Sequence, residues 1–502
     1  MYGPANGAVS AAFNDFSRMT HSLNFSPLTP EQPLVVYELN EVPWRVVDWY
    51  VARRPLSAFA QLLRGSCTFT TATRDEGELH PWTTWPSLHR GAYNAAHGIK
   101  FINQDLSAAA AYPPIWESVV AAGLTVGVFG SLQSYPLPAS VEQDYAFYVP
   151  DTFAPRDDSF PASCVPFQRF NLRQTKQDGA QAQNVQLGGS VAADVVGMLR
   201  GGLRIRTLLR LVVHIARERI NPLFRARRSV MQAPVAFDFY FQLLLAKQPK
   251  FSTFFTNHVA GMMHRYWRQS FPEDFPAAKN EAGDAFHQKS IEFAMDIADE
   301  QIARLMDYVS ARKGILVVAS SMGQEAIDRG AYHGEWRITD CEKFVRAAEW
   351  TSSYENVLAM QPDFNFKFAD SEQAHAFAAK MQSLTDSTGA SIWKRAKVIA
   401  NTVNMGLSPS PTALEDGLIM VMNAQGVAQS KTLQDMGIEH LNRDPGTGYH
   451  QPLGTLFFWG ERVVAQDDRS QIELSSVRGM LTRALGLEPM VANADREVSI
   501  SQ

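Results

Sequence analysis

The stretch PLVVYELNEVPW, residues Pro33–Trp44, decides the reading of the fold. A short apolar run stops at polar side chains, which is how a strand buried in a parallel sheet ends at a functional edge. The pattern recurs downstream. PPIWESVVAAGLTVGVFGS reads as a helix stopped at Gly123, then a buried strand over Thr125–Phe129. FSTFFTNHVAGMMHRYW carries a β-rich run ending at Asn257 and His258. After the long amphipathic pattern HQKSIEFAMDIADEQIARLMDYV, KGILVVASSMGQE gives another strand, ending at Ser320. The alternation predicts an α/β fold, a mostly parallel sheet sandwiched by helices, with ligands beyond the C-terminal ends of the strands.

The bulk numbers agree with a globular protein. Hydrophobic residues make up 45% of the 502 and charged residues 19%, both ordinary values. A net charge of -5 argues against nucleic acid as a partner. Three cysteines, Cys67, Cys164 and Cys341, are too few and too scattered for a disulfide framework or a zinc knuckle. The N-terminus has no basic start followed by an apolar run, and no stretch is apolar for long enough to span a bilayer, so the expected location is cytoplasmic.

Four segments are predicted. Residues 1–32 read as an N-terminal arm, and 33–340 as the α/β core with a helical arginine-rich insert near 190–230. Residues 341–435 mix strand-like FNFKF and LIMVM with helix-like SEQAHAFAAKMQSL, a smaller α+β cap; 436–502 return to the core. Within the insert, residues 198–228 carry nine arginines and one glutamate on an apolar helical background. Such a pattern fits either a peripheral contact with an anionic membrane or a covering helix with solvated arginines.

Chemistry concentrates in HPWTTWPSLHRGAYNAAHGI, His80–Ile99. Thr84 precedes Trp85-Pro86-Ser87, where a helix start is predicted, so its hydroxyl would meet free N–H groups and the positive end of a helix. Such a place stabilises an alkoxide and binds a tetrahedral oxyanion, although an N-cap threonine looks the same. His80 lies close enough in sequence to serve as a base, while His89 falls on the following helix and His97 reads as a packing or capping residue. In ELNE, Glu38 and Glu41 can bind metal or act as a base.

The order of these pieces resembles the alkaline phosphatase superfamily, in particular its phosphodiesterase/nucleotide-pyrophosphatase branch. The pieces are LVVYELNEVPW, TTWPSLHRGAYNAAHGI, IWESVVAAGLTVGVFG, FFTNHVAGMMH, ILVVASSMG and GTGYHQPLG. The resemblance implies a Thr nucleophile between two metal ions, usually zinc, held by Asp and His. Thr84 matches the nucleophile and His450 the late histidine ligand. Elsewhere the chain departs from the pattern. The first-strand aspartate falls at Asn40, or at Glu38 with a slipped register; the Asp-x-x-x-His pair falls at Asn257 and Gly261; Ser-Asp-His-Gly reads Ser320-Ser321-Met322-Gly323. Neutral Asn and Ser are weak ligands for a dication, so the second metal site is not expected to form. One ion, zinc by preference, can still be held by His450 with His258 or His264 and with Glu38, Asn40 or Asn257.

The resulting expectation is an enzyme acting on a small phosphate or sulfate ester. Thr84 and His80 would be catalytic, with Thr83, Ser321 and Gln324 against the substrate and one metal ion or none. The alternative is a pseudoenzyme that binds an anionic ligand or a partner protein.

Overall fold

The apolar runs become strands of one eight-stranded sheet. The computed structural model describes residues 26–102, 104–177, 191–276, 283–328, 335–357, 359, 363–423, 426–441 and 446–487. Residues 1–25 of the arm lie outside these. In chain order the strands are β1 (Leu34–Leu39), β2 (Ser66–Ala72), β3 (Val126–Phe129), β4 (Tyr145–Val149), β5 (Phe251–Thr256), β6 (Ile315–Ala319), β7 (Leu453–Trp459) and β8 (Gln466–Glu473). Their order across the sheet is β8-β2-β7-β6-β1-β5-β3-β4. Only β7 runs against the others: it is antiparallel to both neighbours, whereas the remaining pairs are parallel. The sheet is therefore mostly parallel, as the apolar runs imply.

Every residue of β1 is buried. Val35, Tyr37 and Leu39 enter one apolar cluster, and Leu34 and Val36 enter another on the opposite face. Each fully buried Val or Leu contributes roughly 2 kcal/mol of transfer free energy. Four helices matter below: α1 (Pro81–Arg90), α2 (Ile205–Ile220), α3 (His258–Ser270) and α4 (Ser290–Ser310). In α4, Ile291, Ala294, Met295, Ala298, Ile302, Leu305 and Val309 are buried at helical spacing against the first cluster. Among the described residues no helix is long and apolar enough to cross a membrane.

Residues from Trp336 to Ile438 build a third apolar cluster of their own. It includes a four-stranded antiparallel sheet, ordered Trp393–Ile399, Thr402–Leu407, Phe364–Lys367 and Glu355–Val357, and the helix Ser371–Gln382. This cap meets the core across a cleft.

The register places three strand ends side by side. Leu39 pairs with Thr256 and Glu38 with Ala319, so β1, β5 and β6 finish level. Beyond them stand Asn40-Glu41, Asn257 and Ser320-Ser321. The strand Gly448–Gln451, just ahead of β7, pairs antiparallel with Gly323–Ala326 and brings His450 to the same edge.

Candidate active site

Helix α1 begins earlier than its sequence suggests. His80 is the N-cap and Pro81 the first helical residue, so Thr84 lies a full turn inside. The N–H groups of Thr83 and Thr84 are both taken by the carbonyl of His80. The expectation that Thr84 meets free N–H groups at a helix start is thereby corrected; Pro81 at the first position, with no N–H to satisfy, is what fixes the earlier start. Pro86, inside the helix, cannot bond the Trp82 carbonyl. The Gln133 side chain donates to that oxygen instead, at 3.4 Å.

The Thr84 hydroxyl is buried and pairs with the Ser321 hydroxyl at 2.7 Å. Next to it the buried Trp85 indole N–H donates to Asn40 Oδ1 at 2.7 Å, which fixes the amide's orientation. Asn40 Nδ2 then donates to Asn257 Oδ1 at 2.6 Å and to Glu41 Oε1 at 2.7 Å. Thus Thr84, Ser321, Asn40 and Asn257 gather at the three strand ends, and Asn257 faces solvent.

Glu41 is the residue that the sequence underrated. Its φ is 62°, a left-handed conformation that costs a non-glycine residue on the order of 1 kcal/mol or more. Ser320 stabilises the turn by donating to Leu39 O at 2.5 Å and accepting from Val42 N at 3.2 Å. The turn aims the Glu41 carboxylate at two imidazoles. Its Oε2 lies 3.0 Å from His264 Nε2 and 3.4 Å from His450 Nε2. Gln324 Nε2 donates to the same oxygen at 2.5 Å. Burial opposes ionisation of Glu41, but the charges and hydrogen bonds of His450 and His264 outweigh it and hold the carboxyl well below its usual range. For His450 burial works against the charged form, and Glu41 reverses the balance and raises its pKa.

Helix α3 and the strand Gly448–Gln451 position the imidazoles. A Cβ on Gly448 would fall 2.4 Å from Met263 O, so only glycine lets the strand lie this close to α3. His264 Nδ1 donates to Gly448 O at 2.9 Å, which fixes the ring and points Nε2 at Glu41. Glu41, His264 and His450 offer ligand atoms that all lie within 4.8 Å of one another. Two imidazoles and a carboxylate suit a single zinc-like ion. By contrast Asn40, Asn257 and Ser321 are neutral and bonded to one another or to Thr84, which does not fit a second dication.

Two other residues read as metal ligands sit apart from this group. Glu38 faces the opposite side of β1, where its Oε1 meets His89 Nε2 at 2.7 Å under α1. His258 has both ring nitrogens engaged, Nδ1 with the Thr256 hydroxyl at 2.7 Å and Nε2 with Ala294 O at 3.1 Å.

His80 lies beside the cluster, its ring edge-on to His450 at 5.8 Å and stacked on Trp82 at 4.2 Å. Burial first, and the charge of His450 second, bring its pKa down to about 4 against the pull of Glu78, so the ring is neutral at pH 7. His80 and Thr83 line a cleft of about 180 Å³ between core and cap. Glu41, His264 and His450 are not among the residues that line this cleft, although His450 stands beside His80. The cap contributes Asp363, Asn365, Arg395, Lys397 and Asn404, and the core Glu76, Glu78 and Lys100. Glu78 ties the two together, accepting from the Tyr449 hydroxyl and, at 2.7 Å, from Arg395. Side chains of both charges in its wall suit a small charged molecule.

Ser87, His97 and Asp75 also lie together, but as structure. Ser87 Oγ donates to Asp75 at 2.7 Å and lies 3.0 Å from His97 Nε2, while His97 Nδ1 accepts from Ile99 N at 3.0 Å. His97 Nε2 therefore carries the proton and cannot take one from Ser87. Burial, helped by Arg90, lowers the His97 pKa to about 4, and burial lowers that of His258 to about 3. Both rings stay neutral in the fold while the unfolded chain protonates near pH 6.5. Stability is therefore full above that pH and is lost as pH falls from it toward 4. The expected loss is roughly 2 kcal/mol per histidine by about pH 5. Denaturant unfolding at neutral and mildly acidic pH should show it, and His97→Gln should flatten the slope. An unchanged slope in that variant would remove His97 from the account.

No protein-family model matches the chain, and no curated protein sequence matches it. Similarity is found among solved structures. One is murine ectonucleotide pyrophosphatase/phosphodiesterase 5 in complex with AMP, at 10% identity, over 92% of this chain and 96% of that chain, with a TM-score of 0.38. Another is phosphonoacetate hydrolase from Sinorhizobium meliloti in complex with phosphonoacetate, at 12% identity over 91% and 96%, with a TM-score of 0.38. A third is Thermus thermophilus alkaline phosphatase, at 12% identity over 97% and 96%, with a TM-score of 0.41.

Proposed function

We propose that the chain is an enzyme of the alkaline phosphatase type that cleaves or transfers a phosphoryl or sulfuryl-type group, with Thr84 as nucleophile. One divalent cation, zinc by preference, would be held by Glu41, His264 and His450. The observation carrying this reading is the convergence, at three level strand ends, of a threonine hydroxyl and a three-donor cation set. A cation there supplies Lewis acidity toward an ester oxygen. The chain's own groups do the rest. Asn40 and Gln324 orient the Glu41 carboxylate. His80 offers an uncharged base at the wall of the cleft. Lys100 and Lys397 supply positive charge to an anionic substrate lying in it.

One observation favours the alternative reading, an anion-binding protein without catalysis: Thr84 is wholly buried and its hydroxyl is already paired with Ser321. Elemental mass spectrometry of the purified chain, with a screen of phosphodiesters, AMP, phosphonoacetate and sulfate esters, separates the two. The expected result is about one zinc per chain and turnover that a chelator removes and zinc restores. Folded protein with neither metal nor turnover would leave the binding protein as the account.

A further inference from the structure

Helix α2 is amphipathic the wrong way round for a covering helix. Ile205, Leu209, Val212, Val213 and Ile220 share one face at helical spacing, and that face is turned to solvent, with Ile205 71%, Leu209 59% and Ile220 85% exposed. The face turned to the protein carries Thr207, His214 and Glu218, all buried, beside the partly buried Leu208 and Leu211. Glu218 is held there by Arg228 and lies 3.3 Å from His214. The neighbouring helix Val191–Gly201 adds Val196 and Leu199 to the exposed apolar surface. Eight of the fourteen large exposed hydrophobic residues among the described ones fall between Val196 and Ile220, so this is a concentrated patch rather than scattered surface.

Charge identifies what covers it. Arg206 and Arg217 border the apolar stripe on one flank and Arg219 on the other, by their positions around the helix. All three side chains are exposed, and Arg217 lies over the Phe224 ring at 5.9 Å. A protein surface complementary to this patch would need an apolar groove lined by acids. A leaflet rich in anionic lipid presents that combination everywhere, with acyl chains beneath negatively charged headgroups.

We propose that α2, with the end of the preceding helix, docks the protein peripherally on an anionic membrane surface, the apolar stripe among the acyl chains and the flanking arginines at the headgroups. The inference is independent of the chemistry at Glu41 and Thr84.

Co-sedimentation of the full chain with phosphatidylcholine vesicles, with and without phosphatidylserine, tests it. Binding is expected only with phosphatidylserine, and should fall about tenfold or more in high salt. Leu209→Glu with Val213→Glu should abolish it with little change in the thermal midpoint, because about half of each residue already stands in water. Arg206→Gln with Arg219→Gln should weaken it and flatten its salt dependence. The proposal is overturned if the native chain ignores the anionic vesicles, or if the Leu209→Glu/Val213→Glu variant binds them as well as the native chain. It is also overturned if light scattering finds a native dimer that this variant turns into a monomer, since a second copy would then be the cover.

Discussion

Under the proposed function, replacing Thr84 with alanine should lower turnover of a phosphate or sulfate ester by roughly 10³-fold or more, while leaving the zinc content unchanged. The expectation follows from placement. Thr84 Oγ1 and Ser321 Oγ are 2.7 Å apart at the ends of α1's first turn and β6, and the chain from Trp85 through Asn40 leads directly to Glu41. A nucleophile is lost whole when its oxygen is removed, whereas a positioning group costs less. Thr84→Ser, which keeps the oxygen, should stay within about tenfold of the native rate. The alanine variant should also be less stable by about 1–3 kcal/mol, because Ser321 is left without its buried partner. That cost makes a readout at low temperature advisable. Turnover unchanged in folded Thr84→Ala protein would sink the nucleophile assignment and shift attention to Thr83 in the cleft wall.

Glu41→Gln should weaken zinc binding by about 100-fold or more and unfold the protein at lower temperature. Both carboxylate oxygens accept hydrogen bonds, Oε1 from Asn40 and Oε2 from Gln324, and Oε2 also faces His264 and His450. An amide must therefore turn its NH2 toward at least one donor. The loss expected from that mismatch alone is about 1–3 kcal/mol. Glu41→Asp keeps the charge but shortens the reach, so it should bind zinc more weakly while avoiding the mismatch. Zinc titration followed by elemental analysis reads the effect. Native-strength binding in Glu41→Gln would place the ion elsewhere.

The strands were legible because burial on both faces leaves an unbroken apolar run, and Leu34–Leu39 and Ile315–Ala319 are such runs. Their polar ends come together at one edge of the sheet. The sequence left Glu38 and Glu41 as equal candidates, and only half of what decides between them can be read from it. The period-two alternation of β1 does place Glu38 with Val36, on the face that carries His89, and that signal was available. Glu41 reaches the imidazoles only through a left-handed turn, which nothing in ELNEVP announces. Likewise His258 and His264 share a segment, yet one ring is consumed by Thr256 and Ala294 and the other is free to face Glu41. That choice depends on Gly448 allowing a distant strand to lie against α3. The start of α1 was misplaced because Thr84 satisfies the same local rules as an N-cap, while Pro81 three residues earlier set the true first turn.

The cap interrupts a single β-ladder. Gly323–Ala326 pairs with Gly448–Gln451, and beyond this ladder Ile327 N bonds to Thr447 O at 2.9 Å, so the chain departs for the cap and comes back at one spot. In architectural terms the cap is a graft on two adjacent stems. Its own apolar cluster is distinct from the two that hold the sheet, and Arg395 on Glu78 is one of its ties to the core. The two stems join directly onto Gln324 and His450, however, so any splice must preserve the pairing of these two residues. The residues that the cap brings to the cleft and those that stand at the strand ends are thus separate stretches of chain, with one ladder as the joint between them.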